Sequence, residues 1–191
     1  YKIKPSKNIV ISGGCAMNCK YNGTINKKTK YNNVYIPSAP DDSGISIGAA
    51  LMTYYTLQNK TNKYKKITSN YWGQSYSINE IKKILNICKI NYTSHNDIEE
   101  VASNLLLKSK LIGWFQGRSE FGQRALGNRS ILADPRKSNI KDILNRAIKF
   151  RENFRPFSPI ILKDCVNDFF ITNGENDIPF MEKTKIFIPN K

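Results

Sequence analysis

The chain has 191 residues, 40% of them hydrophobic and 11% aromatic, which excludes a disordered chain and leaves room for one domain or two small ones. Thirty Lys and Arg against fifteen Asp and Glu give a formal charge of +15. The lysines are scattered, so the charge as a whole fits solvated faces better than a nucleic-acid footprint, and no apolar run is long enough to cross a bilayer.

In chain order, the β-branched run Asn8-Ile9-Val10-Ile11 breaks into Ser12-Gly13-Gly14, which predicts a buried strand running into a turn. Val34-Tyr35-Ile36 before Pro37 predicts a second short strand. The small and apolar stretch from Ile47 to Leu57 predicts a helix packed closely against a sheet. The polar, lysine-rich stretch from Gln58 to Asn70 reads as a linker or long connection.

Ser77 and Glu80 make a capping-box pair ahead of Ile81, Ile84, Leu85 and Cys88, which share one helical face and predict a buried stripe. Ile98, Val101, Ala102, Leu105 and Leu106 repeat that pattern in a second helix, and Leu111 to Phe115 reads as a strand. Ser138 is placed to cap a third helix with Ile140, Ile143, Leu144 and Ile148 as its stripe. Strands alternate with helices, so a mixed α/β fold is expected.

Cys15, Cys19, Cys88 and Cys165 lack the spacing of a zinc site, and reduced thiols in a cytoplasmic protein are the natural expectation. The single histidine, His95, lies in a polar stretch that reads as surface.

Two constellations carry chemistry. In ISGGCAMNC, Gly13 and Gly14 let backbone approach a ligand without a Cβ in the way, and Asn18 follows about one helical turn later. Asp41 and Asp42 then stand at the entrance of a helix, where they either cap it or contact a metal or a ribose.

The second constellation is GRSEFGQRALGNRS, Gly117 to Ser130. All seven arginines of the chain lie between Arg118 and Arg155. Arg118, Arg124 and Arg129 come from this one run, and IKFRENFRPFSP adds Lys149, Arg151 and Arg155. Guanidinium groups suit bidentate recognition of phosphate, whereas two glutamates, Glu120 and Glu152, are too few to neutralise six cations. An anion site is the expectation, with the glutamates orienting arginines by pairing with them. A buried salt-bridge network is the bland alternative, and RNA binding by a basic cleft is the functional rival.

The successive motifs GGCAMN, PSAPDDSGISIGAAL, GWFQGRSEFGQRALGNRSILADPR and KFRENFRPFSP resemble those of the O-carbamoyltransferase family, with a weaker echo at Pro179-Phe180-Met181. The resemblance runs from about Asn8 to Phe157. It implies the end of an actin-like ATPase domain over residues 1–62, followed by a YrdC-like α/β domain over 71–191, the whole truncated at both ends. It further implies that carbamoyl phosphate and ATP, with Mg²⁺, yield carbamoyl adenylate, from which the carbamoyl group passes to a hydroxyl of an acceptor alcohol.

On this resemblance Arg118, Arg124 and Arg129 are the catalytic cations. Glu120, Ser130, Lys149, Arg151, Arg155, Gly13, Gly14 and Asn18 bind substrate or nucleotide. Asp42, or its neighbour Asp41, is a ligand of an Fe²⁺ ion that only the complete protein holds, because the partner histidines lie in an N-terminal portion absent from this chain. The expected partners are the two substrates and that N-terminal portion, with no membrane and no nucleic acid, and the fragment alone is expected to be inactive.

Overall fold

β1 (Asn8–Val10) pairs in parallel with β2 (Asn33–Tyr35), in the register Asn8 to Asn33 and Val10 to Tyr35. The crossover between them is built from a 3-10 turn (Gly14–Met17) and two single-turn helices, α1 (Cys19–Asn22) and α2 (Ile25–Lys28). In this computed structural model residues 6–58, 67–175 and 177–189 are described. The middle of the lysine-rich connection expected across Gln58–Asn70 lies outside them.

The chain clusters into two units: Tyr1–Asn70 with Phe121–Arg124 and Ile161–Lys191, and Tyr71–Glu120 with Ala125–Ile160. Residues 161–191 fall with the first unit. The Asn22 side-chain amide donates to the carbonyls of Ala16 at 2.7 Å and Glu182 at 2.9 Å, spanning 160 residues of sequence.

In the first unit the core is Ala16, Ile25, Ile36, Ala39 and Phe180, with the buried polar residues Asn22, Ser38, Asn70 and Thr172 among them. Burying one phenylalanine in this way contributes about 2–3 kcal/mol. After a 3-10 turn (Asp42–Gly44) comes α3 (Ile45–Leu57). The C-terminal part of the unit holds a short helix, α7 (Val166–Phe169), leading into the antiparallel pair β5 (Phe170–Ile171) and β6 (Ile186–Phe187). The expected close packing of α3 is not found: it has no buried residue, and Met52 is 74% exposed. Two three-residue strands offer no sheet face broad enough to cover a helix of 13 residues.

The second unit opens with α4 (Ile78–Ile87) and α5 (Ile98–Leu107). The capping box forms as the sequence requires: Ser77 Oγ accepts the Glu80 N–H, and the Glu80 carboxylate accepts the Ser77 N–H at 2.7 Å. The apolar stripe behind it is not buried, with Ile84 58% exposed. α5, of which Ala102 is buried, lies against β3 (Ile112–Phe115).

β3 pairs antiparallel with β4 (Arg129–Leu132), a strand that the arginine-rich sequence hides, in the register Phe115 to Arg129 and Ile112 to Leu132. The third expected helix is one α-turn, α6 (Ile140–Ile143), continued as a π-helix (Leu144–Lys149). Asn139, not Ser138, stands at its start, and no side chain caps it. Leu144 and Asn145 form its buried part, while Ile148 is exposed. Among the described residues no helix is long and apolar enough to cross a membrane.

Candidate functional site

The arginine-rich run is the connection between β3 and β4, and a carboxylate organises it. Glu120 Oε1 accepts the backbone N–H groups of Leu126 at 2.7 Å, Asn128 at 2.9 Å and Arg129 at 3.3 Å. Partial burial pushes the Glu120 pKa up, and these N–H bonds outweigh it, so the carboxyl titrates below its ordinary range. Gly127 between the donors has φ of +109°, which a residue with a Cβ rarely adopts, and its own N–H donates to Ser130 Oγ at 3.0 Å. The expected pairing of Glu120 with an arginine is replaced by pairing with the backbone.

Arg129 spends its guanidinium inside the same loop. Its Nη1 donates to the carbonyls of Gln116 at 2.6 Å and Asn128 at 2.9 Å, and its Nη2 to those of Gly117 at 3.2 Å and Gln74 at 3.3 Å. The guanidinium carbon stands 3.5 Å from the centre of the Phe115 ring, close enough for a cation–π contact. Arg118 is anchored more lightly: Nε donates to the Gly73 carbonyl and Nη2 to that of Trp72, both at 3.0 Å. Among the described residues its Nη1 has no acceptor, and the bonds it does make are exposed.

The segment 72–74 that takes these bonds runs alongside the loop. Gly73 N–H donates to the Ser119 carbonyl at 2.9 Å, and Ser119 N–H to that of Gln74 at 3.2 Å. A Cβ at Gly73 would sit 2.9 Å from the Ser119 carbonyl oxygen and closer still to its Oγ, so the approach of the two backbones favours glycine. Tyr71 Oη donates to the Leu126 carbonyl at 2.8 Å and Asn128 Nδ2 to that of Arg118 at 2.6 Å.

The second basic run also belongs to this unit. Asn145, fully buried, accepts from Arg151 Nε at 2.8 Å, and the Arg151 guanidinium lies 4.8 Å from the Phe157 ring centre. Arg155 pairs with Glu152 at 2.9 Å with both side chains half-exposed, and Lys149 is exposed at the end of the π-helix. Glu152 therefore does pair with an arginine. Its pKa is lowered, first by its own backbone N–H and then by the Arg155 charge.

Arg124 is placed in the first unit. Its Nη2 donates to the Met17 carbonyl at 2.6 Å and its Nη1 to those of Phe180 (3.3 Å) and Met181. Three motifs separated in sequence thus meet on one guanidinium or beside it: the glycine turn, the Arg124 segment and Pro179-Phe180-Met181. The aspartate loop joins them through Pro40, whose carbonyl accepts the Gly13 N–H at 2.5 Å and Ser12 Oγ at 3.0 Å. Open space lies beside both Gly13 and Gly14. Asn18 caps α1, its Oδ1 accepting the Tyr21 N–H at 3.0 Å.

Between the two aspartates the capping role falls to Asp41, whose Oδ1 accepts Ser43 Oγ at 2.5 Å and the Ser43 N–H at 3.3 Å. Asp42 follows in the first turn. Among the described residues no group of three or more His, Cys, Asp and Glu is placed to hold a metal ion. Arg118 and Lys149 remain exposed, Arg155 is paired with Glu152, and Arg124 and Arg129 are largely committed to carbonyl oxygens.

Sequence reasoning missed Asn145 and Asn128. Neither carries a charge or a motif of its own, and the Gly-Asn pair at 127–128 signals only a turn.

Residues 1–51 match the family described as the carbamoyltransferase N-terminus, and residues 103–190 the carbamoyltransferase C-terminus. The nodulation protein NolO of Bradyrhizobium diazoefficiens is 36% identical over 177 residues, covering 91% of this chain and 32% of that protein. The nodulation protein NolNO of Sinorhizobium fredii is 36% identical over 179 residues, 92% of this chain and 26% of that protein. An uncharacterized protein of Synechocystis is 38% identical over 171 residues, 86% of this chain and 28% of its own length. The chain thus spans between about a quarter and a third of the length of these relatives. The glycine turn and both aspartates lie in the N-terminal match and every arginine in the C-terminal one, and the chain belongs to the carbamoyltransferase family.

Proposed function

We propose that the protein of which this chain spans a part is an ATP-dependent O-carbamoyltransferase. Water cleaves carbamoyl phosphate to carbamate and phosphate, a carbamate oxygen attacks the α-phosphorus of ATP with loss of pyrophosphate, and the acceptor hydroxyl attacks the carbamoyl carbon of the resulting carbamoyl adenylate, giving up its proton and releasing AMP. Reactants that all carry negative charge repel one another, so the protein must supply fixed positive charge where they meet.

The observation that supports this most directly is Arg118, held by two carbonyls on one edge of its guanidinium with Nη1 left over for an anion. Arg129, stacked on Phe115 and bonded to four carbonyls, fixes the loop that presents it. Lys149, Arg151 and Arg155 are the further cations for donor and nucleotide. Mg²⁺ would arrive on the ATP phosphates and shape the leaving pyrophosphate.

On this proposal residues 1–62 are the end of the actin-like transfer domain, and 71–191 the incomplete YrdC-like domain that binds carbamoyl phosphate and ATP, in a cytoplasmic protein. An Fe²⁺ bound by Asp42 would need its other ligands from the remainder of the protein. This chain alone binds the anions without completing transfer. The family match gives no support to the RNA-binding rival.

The test uses the complete protein with carbamoyl phosphate, MgATP and a panel of polyols. Pyrophosphate should appear only when carbamoyl phosphate is present, and Arg118→Ala should suppress it. Pyrophosphate release that is indifferent to carbamoyl phosphate would reject the proposal.

A further inference from the structure

We propose that Glu120 is a positioning residue that holds the β3–β4 loop in its anion-binding shape without touching the anion. The inference rests on the anion-site proposal above and assigns Glu120 a different part from the cations around it. One carboxylate oxygen takes three backbone N–H groups, from Leu126, Asn128 and Arg129. Successive N–H groups converging in this way form the kind of nest that binds phosphate or carboxylate. Here the chain supplies the anion itself, from six to nine residues upstream.

The consequence reaches both arginines. The Asn128 N–H bond to Glu120 fixes the residue whose side chain holds the Arg118 carbonyl at 2.6 Å and whose carbonyl takes both the Gln116 N–H at 3.0 Å and Arg129 Nη1. The Arg129 N–H bond fixes the first residue of β4, opposite the ring on which its guanidinium stacks. A loop with left-handed glycines at 117 and 127 is entropically costly to order, and a charge-assisted hub offsets that cost at one point. Three N–H groups meet on Oε1, and their partial positive charges offset the carboxylate charge toward an incoming anion.

The test pairs amide hydrogen exchange with calorimetric binding of inorganic pyrophosphate, on the chain as it stands. Glu120→Ala should speed exchange at the Leu126, Asn128 and Arg129 amides and weaken pyrophosphate binding on the order of tenfold or more. Glu120→Gln retains an acceptor oxygen at the same reach and should restore most of both. Glu120→Asp keeps the charge but falls one methylene short, so it should resemble Ala rather than Gln. If Glu120→Ala does not fold, the contrast of Gln with Asp carries the same decision.

Binding undiminished in Ala and Asp, or weakened equally in Gln with the three amides still protected, overturns the proposal. The second of those results would mean that the charge itself meets the ligand. A wild-type chain that binds no pyrophosphate overturns the anion site along with it.

Discussion

The side-chain oxygen of Asn145, a residue with no exposed surface, accepts Arg151 Nε at 2.8 Å, while its Nδ2 points at the Arg155 carbonyl at 3.5 Å. Asn145 lies in the π-helix, and the chain then leaves through Phe150 in the left-handed conformation at φ +46°. One buried amide therefore sets the exit angle of the basic run 151–155. Asn145→Leu keeps the number of side-chain heavy atoms and removes the acceptor of Arg151 Nε. It should cost about 1–3 kcal/mol in urea unfolding. A change within error would show that water replaces the amide.

Arg124 is a clamp of the first unit, joining the Met17 carbonyl to those of Phe180 and Met181. Arg124→Ala should destabilise the chain by about 2–3 kcal/mol, since it leaves carbonyl oxygens with lost charge-assisted bonds. Lysine should recover little, because a single ammonium cannot reproduce the spread of the fork. Thermal and denaturant unfolding read this directly. A loss of pyrophosphate affinity at unchanged stability would instead place Arg124 among the anion ligands.

Arg118 should behave oppositely. Its anchoring bonds are exposed and contribute little to folding. Arg118→Ala is expected to weaken pyrophosphate binding on the order of tenfold with a small change in melting temperature. Calorimetry decides it, and unchanged affinity would remove Arg118 from the site.

Glu182 gives the chain a pH dependence of identifiable sign. Burial raises its pKa, with Glu175 adding to the rise, while its own and the Phe180 N–H groups and Lys183 oppose it. Tyr35 nearby is also raised, chiefly by burial and then by the Glu182 charge. A carboxyl whose folded pKa is raised binds its proton more tightly when folded. Its contribution is therefore favourable at low pH and is lost as pH rises from the ordinary glutamate range through the folded value. Glu182→Gln keeps an acceptor for the Phe180 N–H, bonded at 3.0 Å, and removes the buried charge. It should raise stability at pH 7 and flatten stability against pH in that window. A variant less stable than wild type at pH 7 would show that the charge is compensated.

Asp134 should show the opposite shift. Its bonds to the Arg136 side chain and backbone hold its pKa down at about 2. Carboxyl-carbon chemical shifts followed through an acid titration should place its midpoint there, and Arg136→Ala should return it to the ordinary aspartate range.

Features that depend on neighbours along the chain could be read before folding. The Ser77–Glu80 capping box needs two residues three apart, and it formed. The strands at Asn8 and Ile112 and the helices at Ile78 and Ile98 follow from short-range periodicity. The family was legible because long motifs with fixed residue order survive in this chain, from Gly13 to Arg155.

How each side chain is used depends on contacts that form across the fold. Apolar periodicity shows which face of α4 could be buried but not whether anything covers it, and its stripe stays exposed. Arg129 begins a strand because Phe115 lies opposite it, a pairing 14 residues apart that charge pattern conceals. Arg118, Arg124 and Arg129 are identical as letters. Their donors go to Gly73, to Met17 and to Gln116 because carbonyl oxygens are brought to them from distant parts of the chain. Guanidinium specificity is geometric, and that geometry exists only after folding.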